Sequence, residues 1–270
     1  MDGRPIGVFD SGFGGLTVAR ALFDLVPAEQ IVYVGDSARY PYGPRPAAEV
    51  RGFALEIARY LVDVEGVKMV VVACNTASSV ALDELQQLLE VPVVGVLEPG
   101  LRAAVRVSRT GEVGVIGTVG TVSSGAYQRL AATIGSSSHV HCLACPGFVE
   151  FVERGELVSD QVHVLAERLL SPLVAKEVDT LLFGCTHYPF LARTIADVMG
   201  PDVVLVSAAE ETAFDIAHVL ADLQLERGRE MPPEHRFLSS GDVAHFVATG
   251  KMLLGPELER VEAVHFATSA

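Results

Sequence analysis

The sequence is short of basic residues. Its 270 residues include 20 Lys and Arg against 34 Asp and Glu, so the formal net charge is −14. Binding to nucleic acids or to anionic membranes depends on Lys and Arg, and this balance argues against both kinds of partner. It does not argue against a small anionic ligand, because backbone amides and hydroxyl groups hold such a ligand locally.

Long apolar runs and a signal-like N-terminus are also lacking. No apolar run approaches the roughly 20 residues that a membrane-spanning helix needs, and residues 1–12 have no basic segment followed by an apolar one. We therefore expect no membrane anchor and no secretory signal. The four cysteines, at 74, 142, 145 and 185, do not make a disulfide framework for a chain of this length. Together these features predict a soluble, reduced, cytoplasmic protein.

Half of the residues are hydrophobic, and many of them fall into short continuous runs separated by segments with helical spacing. Continuous apolar runs are typical of strands buried on both faces of a parallel sheet. Their alternation with helical segments predicts an α/β fold. The predicted strands are 5–9, 31–35, 68–73, 92–96, 114–117, 139–143, 180–184, 203–206 and 263–267. Helical spacing is found at 47–65, 78–90, 160–175 and 209–224.

The first half of the chain is echoed in the second half. GVFDSGFGG (7–15) resembles GVIGTVGTV (114–122), and VVVACNTAS (70–78) resembles LLFGCTHYP (181–189). The repeat predicts two similar lobes, each a mostly parallel sheet flanked by helices, related by pseudo-two-fold symmetry with the active site between them. We expect lobe A to comprise residues 1–98 plus 208–270, and lobe B to comprise residues 99–207.

Four polar residues stand at the ends of predicted strands. They are Asp10, Cys74, Thr118 and Cys185. In open parallel sheets, ligands bind in the crevice at the carboxyl ends of the strands. Two lobes that face each other would bring all four residues to a shared cleft.

The two strand-end cysteines predict acid–base chemistry. A free cysteine is usually a small buried apolar side chain, but Cys74 and Cys185 form a matched pair, each followed by hydrogen-bonding residues. A nucleophilic cysteine normally has a His base and a third orienting group, and a zinc site needs a fourth ligand of matching spacing. A symmetric pair fits removal of a proton from one face of a carbon and delivery to the other. Asp10 and His187 are either ordinary polar residues or groups that tune these thiols.

Other motifs carry less information. Cys142 and Cys145 form a CxxC, which occurs in redox motifs and half zinc sites, but the sequence has no second CxxC and we favour a structural role. DSGFGG (10–15) matches neither dinucleotide nor phosphate-loop patterns, and predicts a tight turn that presents Asp10 and Ser11. GDSARYPYG (35–43) is either a loop that shapes a pocket or a plain surface loop.

Six motifs, in this order, resemble the glutamate racemases, which are cofactor-independent enzymes of the aspartate/glutamate racemase superfamily. They are DSGFGG, GDSARYPYG, ACNTAS (73–78), GTVGT (117–121), FVERG (151–155) and GCTHYP (184–189). The similarity extends into the C-terminal segments SGDVAHF (240–246) and LLGPEL (253–258). GCTHYP differs from the aspartate racemases, whose second cysteine is usually followed by Thr-Glu.

The resemblance implies the role of each site residue. Cys74 and Cys185 would be the two acid/base thiols, Asp10 would assist Cys74, and His187 would assist Cys185, with Glu153 as a further candidate on that side. The residues implied to bind glutamate are Asp10, Ser11, Tyr42, Gly43, Asn75, Thr76, Thr118, Thr121, Thr186 and His187. The resemblance also implies that no cofactor or metal is used and that the product serves bacterial peptidoglycan synthesis. The sequence does not fix the oligomeric state, but relatives are often dimers, which favours a homodimer.

The sequence departs from the family pattern just before FVERG, where Gly147 and Glu150 replace a common leucine and a common proline. Three alternatives stay open. The first is an aspartate or hydantoin racemase on the same fold, which substrate profiling separates. The second is a two-lobed protein that binds glutamate without exchanging its α-proton. A thiol–disulfide protein built on Cys142 and Cys145 is the third.

Overall fold

The chain folds into two parallel β-sheets with helices packed on their faces. The computed structural model describes residues 1–135, 137–228, 232–255, 258 and 260–266. The strands in these residues are β1 (Ile6–Asp10), β2 (Ile31–Gly35), β3 (Met69–Val72), β4 (Val93–Gly95), β5 (Glu112–Gly117), β6 (His139–Ala144), β7 (Thr180–Gly184), β8 (Val204–Val206), β9 (Arg236–Ser239) and β10 (Val261–Ala263).

Helices connect most of these strands. They are α1 (Leu16–Leu25), α2 (Ala47–Asp63), α3 (Asn75–Leu88), α4 (Leu97–Val107), α5 (Val119–Ser123), α6 (Ala126–Ile134), α7 (Phe148–Glu153), α8 (Asp160–Val174), α9 (Ala192–Met199), α10 (Ala209–Asp222) and α11 (Val243–Leu254). A single 3₁₀ turn, Tyr188–Leu191, stands between β7 and α9. Within the described residues, no helix has both the length and the apolar character of a membrane span.

The two sheets share one strand order. The first sheet runs β10-β9-β2-β1-β3-β4 and the second runs β6-β5-β7-β8, and every neighbouring pair is parallel. The order β2-β1-β3-β4 is thus repeated as β6-β5-β7-β8 by the next four strands along the chain. This confirms the prediction of two parallel sheets flanked by helices. Because the strands are parallel, the carboxyl ends of β1 and β3 share one edge, as do those of β5 and β7.

Both faces of the strands are covered, which explains their continuous apolar sequences. One cluster of buried residues lies between the sheets and includes Val8 of β1 together with Val115 of β5 and Leu182 of β7. The outer face of the first sheet packs against α2 and α3 through residues such as Ile57. The outer face of the second sheet packs against α8 and α9 through residues such as Leu170.

Most predicted strands agree with the structure to within two residues, but three predictions differ. Strand β9 was not predicted, because its four residues RFLS mix a charge and a serine with two apolar side chains. The last predicted strand, 263–267, begins earlier, at Val261, and Ala267 lies outside the described residues. The helix predicted over 78–90 begins at Asn75, directly after Cys74. Residues 256 and 257 of the C-terminal motif 253–258 also lie outside the described part.

The strands of the first sheet come from residues 6–95 and 236–263, and those of the second from residues 112–206. Helix α4 follows β4 of the first sheet along the chain and packs against β7 of the second sheet. The predicted division into residues 1–98 plus 208–270 and residues 99–207 remains a proposal about domain boundaries.

Candidate active site

The carboxyl ends of the two sheets meet at one cavity. Its volume is about 90 Å³, whereas a single water needs roughly 10–15 Å³ on this measure, so the cavity has room for a molecule of several heavy atoms. The predicted site residues that line it come from both sheets: Ser11, Tyr42, Gly43, Cys74, Asn75, Thr76, Thr118, Cys185, Thr186 and His187. Asp10, Thr121 and Glu153 lie behind this lining.

Cys74 stands between β3 and α3 as the N-cap of the helix. Its backbone is extended (φ −77°, ψ 120°), and its Sγ accepts a hydrogen bond from the amide of Ala77 at 3.5 Å. The side chain is buried. Burial and the nearby carboxylate of Asp10 raise the pKa of the Cys74 thiol to about 12, although the amide of Ala77 and the hydroxyl of Ser11 act in the opposite direction. The Cys74 sulfur is therefore a protonated thiol at neutral pH.

Asp10 is the last residue of β1 and is fully buried. Its Oδ2 accepts a hydrogen bond from the amide of Gly12 at 3.0 Å. Its Oδ1 has no hydrogen-bond partner among the described protein atoms. One carboxylate oxygen is thus fixed by the turn after β1, while the other is left without a partner and the carboxylate acts on the Cys74 thiol through its charge.

Cys185 follows β7 and is paired with a histidine. Its Sγ lies 3.9 Å from Nδ1 of His187, and Nε2 of the same ring lies 3.7 Å from Oε1 of Glu153. Burial lowers the pKa of His187, but interaction with Cys185 and Glu153 outweighs burial and raises it to about 10. The imidazole is therefore protonated at neutral pH, and its positive charge lies beside the Cys185 sulfur.

Three threonine hydroxyls join the two sides of the cavity. Oγ1 of Thr76, in the first turn of α3, lies 2.9 Å from Oγ1 of Thr118 and 3.3 Å from Oγ1 of Thr121. Thr118 and Thr121, at the start of α5, are 3.0 Å apart. Thr121 is buried behind the other two, so its hydroxyl orients its neighbours and does not face the cavity.

Close backbone contacts hold the same two sides together. The amide of Gly120 donates to the carbonyl of Gly43 at 2.8 Å. On the opposite wall, a Cβ on Gly14 would lie 2.6 Å from Nδ1 of His187 and would also overlap the hydroxyl of Thr186. A glycine is therefore required at position 14 for the turn after β1 to approach the Cys185 side this closely.

Two predicted binding residues use their polar groups elsewhere. The hydroxyl of Tyr42 donates to Asp36, a fully buried carboxylate that also accepts a hydrogen bond from Arg39 at 2.7 Å. The amide nitrogen of Asn75 donates to the hydroxyl of Tyr127 at 3.0 Å. Tyr42 thus offers a ligand its ring edge and backbone, and Asn75 offers its side-chain oxygen and backbone.

The cavity has little fixed charge. Among the described residues that line it, none is Lys or Arg, and the charged groups are His187 and Glu150. An anionic ligand would therefore be held by hydroxyls and by backbone amides, including those at the N-terminus of α3, where the helix dipole favours negative charge.

Comparisons with known proteins identify the family of this chain. The family model described as Asp/Glu/Hydantoin racemase matches residues 6–213. A glutamate racemase from Parafrankia sp. is 51% identical over 262 residues, which cover 97% of this chain and 94% of that protein. The chain belongs to the glutamate racemases of this family. It is therefore a racemase, an isomerase.

Solved structures of glutamate racemases have the same fold. One from Bacillus anthracis superposes with a TM-score of 0.92 at 38% identity, covering 99% of this chain and 98% of that one. One from Francisella tularensis, which is a complex with D-glutamate, gives a TM-score of 0.90 at 34% identity and covers 98% of both chains. Family membership and the two-sheet fold are thus both shown.

Several residues that line the cavity were not predicted from the sequence. They are Tyr40, Pro41, Pro44, Val119, Cys145, Pro146, Gly147, Val149, Glu150 and Tyr188. Tyr40 lies in the same loop as Tyr42, and the aromatic and proline residues of that loop were a signal for it. Tyr188 ties two parts of the wall together, since its hydroxyl lies 3.1 Å from the carbonyl oxygen of Gly117 and 3.0 Å from that of Cys145.

The two cysteines of the CxxC motif pack in different hydrophobic clusters. Cys142 packs in the cluster between the sheets, whereas Cys145 packs in the cluster on the outer face of the second sheet. Both are free thiols, and burial raises the pKa of Cys142 to about 11 and that of Cys145 to about 12. Because they lie on opposite faces of the sheet, this arrangement disfavours a disulfide between them.

The part of the chain that the structure describes has no group of three or more His, Cys, Asp or Glu side chains placed to hold a metal ion. The expectation that the racemase uses no cofactor remains a prediction, which the activity test described below can check.

Proposed function

We propose that the chain interconverts L- and D-glutamate by a two-base mechanism, with Cys74 and Cys185 as the acid and base. The observation that carries the proposal is the pair of thiols that line one cavity from two different sheets. Each thiol has its own charged neighbour, Asp10 for Cys74 and His187 for Cys185. Inversion of a carbon centre needs an acid and a base on opposite faces, and this arrangement supplies both.

The two thiols have different surroundings. The raised pKa of Cys74 keeps it a thiol at neutral pH, while Cys185 faces the imidazolium of His187. In the direction that uses Cys185 as the base, its thiolate removes the α-proton from the enantiomer that presents it to that side. Cys74 then delivers its own proton to the opposite face of the carbanion. The reverse reaction starts from the opposite state, with a thiolate on Cys74.

The charged neighbours make the exchange of roles feasible. When Cys185 takes the α-proton, the negative charge leaves its sulfur and the positive charge of His187 is left facing Glu153. When Cys74 gives up its proton, its thiolate is stabilised by the amide of Ala77. Each sulfur therefore keeps a fixed partner for its charged form, which a group buried in an apolar wall would lack.

Binding of glutamate would rely on hydrogen bonds from neutral groups. The hydroxyls of Ser11, Thr76 and Thr118 and the backbone amide of Thr186 are the candidates for the two carboxylates, since these residues line the cavity. Preorganised dipoles in a site closed to water stabilise developing negative charge without reorganisation. The small cavity and the close contacts across it keep water from the carbanion.

The physiological proposal follows from the resemblance. A glutamate racemase supplies D-glutamate, which bacteria use for peptidoglycan synthesis, and we propose this role for the chain. We also propose that it acts in the cytoplasm. The expected homodimer stays a prediction that sedimentation would check.

The proposal is tested by proton NMR of the purified protein with L-glutamate in deuterated water, without added cofactor. We expect loss of the α-proton signal and appearance of D-glutamate on chiral chromatography. Exchange without inversion, or no exchange at all, contradicts the racemase proposal and favours a protein that only binds the amino acid.

Aspartate is the substrate to compare, because the family model covers aspartate, glutamate and hydantoin racemases. Two relatives that are 51% and 48% identical to this chain are glutamate racemases. We therefore expect glutamate to have a kcat/KM at least about tenfold higher than aspartate, the factor expected for one added methylene. Equal values, or a preference for aspartate, would overturn the assignment of glutamate as substrate.

A further inference from the structure

Three buried polar atoms beside Cys185 have no hydrogen-bond partner among the described protein atoms. They are the hydroxyl oxygen of Tyr40, Oε1 of Glu153 and Nε2 of His187. The last two are 3.7 Å apart. Burial, followed by the charge of Glu153, raises the pKa of the Tyr40 hydroxyl. A buried polar group without a partner costs free energy, so three of them in one place point to a shared function.

Tyr40 reaches this group from the other side of the cavity. It belongs to the loop between β2 and α2, whereas Glu153 ends α7 and His187 follows β7. Its ring centroid lies 5.9 Å from that of His187, with 32° between the planes. On its other side the ring packs so closely that a Cβ on Gly12 would come within 3.0 Å of it. The ring is thus held between the turn after β1 and the imidazole.

The chemistry of the three groups allows one ordered chain of hydrogen bonds. A carboxylate only accepts, a protonated imidazole only donates, and a tyrosine hydroxyl donates one proton. Of the three groups, Glu153 alone can accept from both the hydroxyl of Tyr40 and Nε2 of His187. An Nε2 directed at Glu153 leaves Nδ1 as the nitrogen that faces Cys185, at 3.9 Å.

We propose that Tyr40 is a positioning residue that holds Glu153 against His187 and so keeps the imidazole directed at the Cys185 sulfur. Because Tyr40 comes from the opposite wall, Cys185 is activated only when the two walls are together. This inference deepens the proposed function and rests on it for its kinetic consequences. It concerns one thiol alone, since Cys74 faces neither Glu153 nor His187 in a hydrogen bond or ion pair among the described contacts.

The first test removes the hydroxyl alone, in Tyr40→Phe. We expect kcat to fall about tenfold, the factor expected for loss of a hydrogen bond to a charged group, with KM changed less than about twofold. Tyr60→Phe is the matched control, because the hydroxyl of Tyr60 donates to Glu65 at 2.8 Å and neither residue lines the cavity. Unchanged kcat in Tyr40→Phe, or an effect confined to KM, overturns the proposal.

A double-variant cycle tests whether Tyr40 acts through Glu153. Tyr40→Phe combined with Glu153→Gln should be no more than about twofold slower than Glu153→Gln alone, because both changes break the same chain. A double variant whose loss is the product of the two single losses overturns the proposed route, since the residues would then act independently.

A last measurement needs no substrate. Nitrogen-15 NMR of the histidine rings follows the protonation of His187 directly, and we expect its midpoint to fall when Tyr40→Phe releases Glu153. An unchanged midpoint contradicts the proposal, whatever the kinetics. If wild-type protein fails to racemise glutamate while the midpoint still falls, the proposed function fails and the positioning role of Tyr40 stands.

Discussion

Replacing His187 by asparagine tests the account of the Cys185 side most severely. The imidazole is buried and its pKa is raised from the ordinary 6.5 to about 10. A difference of about 3.5 pH units corresponds to about 5 kcal/mol in favour of the protonated ring. Burial opposes this shift, and the interactions with Cys185 at 3.9 Å and Glu153 at 3.7 Å, together with the charge of Asp10, outweigh it. Removing the ring takes the only cation among the described residues lining the cavity away from the Cys185 sulfur.

We expect kcat of His187→Asn at neutral pH to fall about 10²- to 10³-fold, within the usual range for a group that assists proton transfer. Wild-type activity should decline as pH rises through about 10, where His187 loses its proton. The variant lacks the imidazole and should show no such decline. Initial rates measured across this pH range, in both directions of the reaction, provide the comparison.

His163→Asn is the matched control, because His163 pairs with Glu167 at 3.5 Å on the exposed face of α8. It should leave kcat and the pH profile unchanged. A His187→Asn variant within about threefold of wild type at neutral pH would refute the reasoning, since a thiolate without its counter-ion would then be as effective as one with it.

Two further predictions concern close packing and pH. Gly14→Ala should lower kcat/KM at least about tenfold, because its Cβ would overlap Thr186 and His187. Gly52→Ala is the control, because a Cβ at position 52 would lie in open space. Equal activity of the two variants would contradict the prediction. Asp179→Asn should destabilise the fold by about 2 kcal/mol at neutral pH. Burial raises the Asp179 pKa, but hydrogen bonds outweigh burial and lower it. The carboxylate therefore stabilises the fold at neutral pH, and this stabilisation is lost as the pH falls and the carboxylate is protonated. The destabilisation caused by Asp179→Asn should disappear in acid, and a destabilisation independent of pH would refute the prediction.

The sequence predicted the fold class well because its signals are local. Eight strands were found from continuous apolar runs, and the repeat predicted two similar sheets, which the shared strand order confirms. The start of α3 was placed too late, since nothing in the residues NTAS shows by itself that Cys74 caps the helix. Strand β9 was missed because it owes its existence to pairing with β2 and β10, which are distant in sequence.

The candidate site was predicted as a set of residues but not as an arrangement. Strand-end position brought Cys74 and Cys185 to one cavity, as expected for parallel sheets. The partner of each polar group depends on contacts across the fold, so the sequence did not show that the Tyr42 hydroxyl is bound to Asp36. Nor did it show that Cys145 joins the cavity wall while Cys142 faces the opposite side of the sheet.

The most direct test of the two-base proposal is the racemisation rate of the single-cysteine variants Cys74→Ser and Cys185→Ser, measured by circular dichroism from each enantiomer of glutamate. The control is Cys142→Ser, which removes a thiol that does not line the cavity. We expect both site variants to lose at least about 10²-fold in both directions, because each turnover needs one thiol as base and the other as acid, while the control keeps wild-type activity. Near-normal racemisation by either site variant would contradict the account.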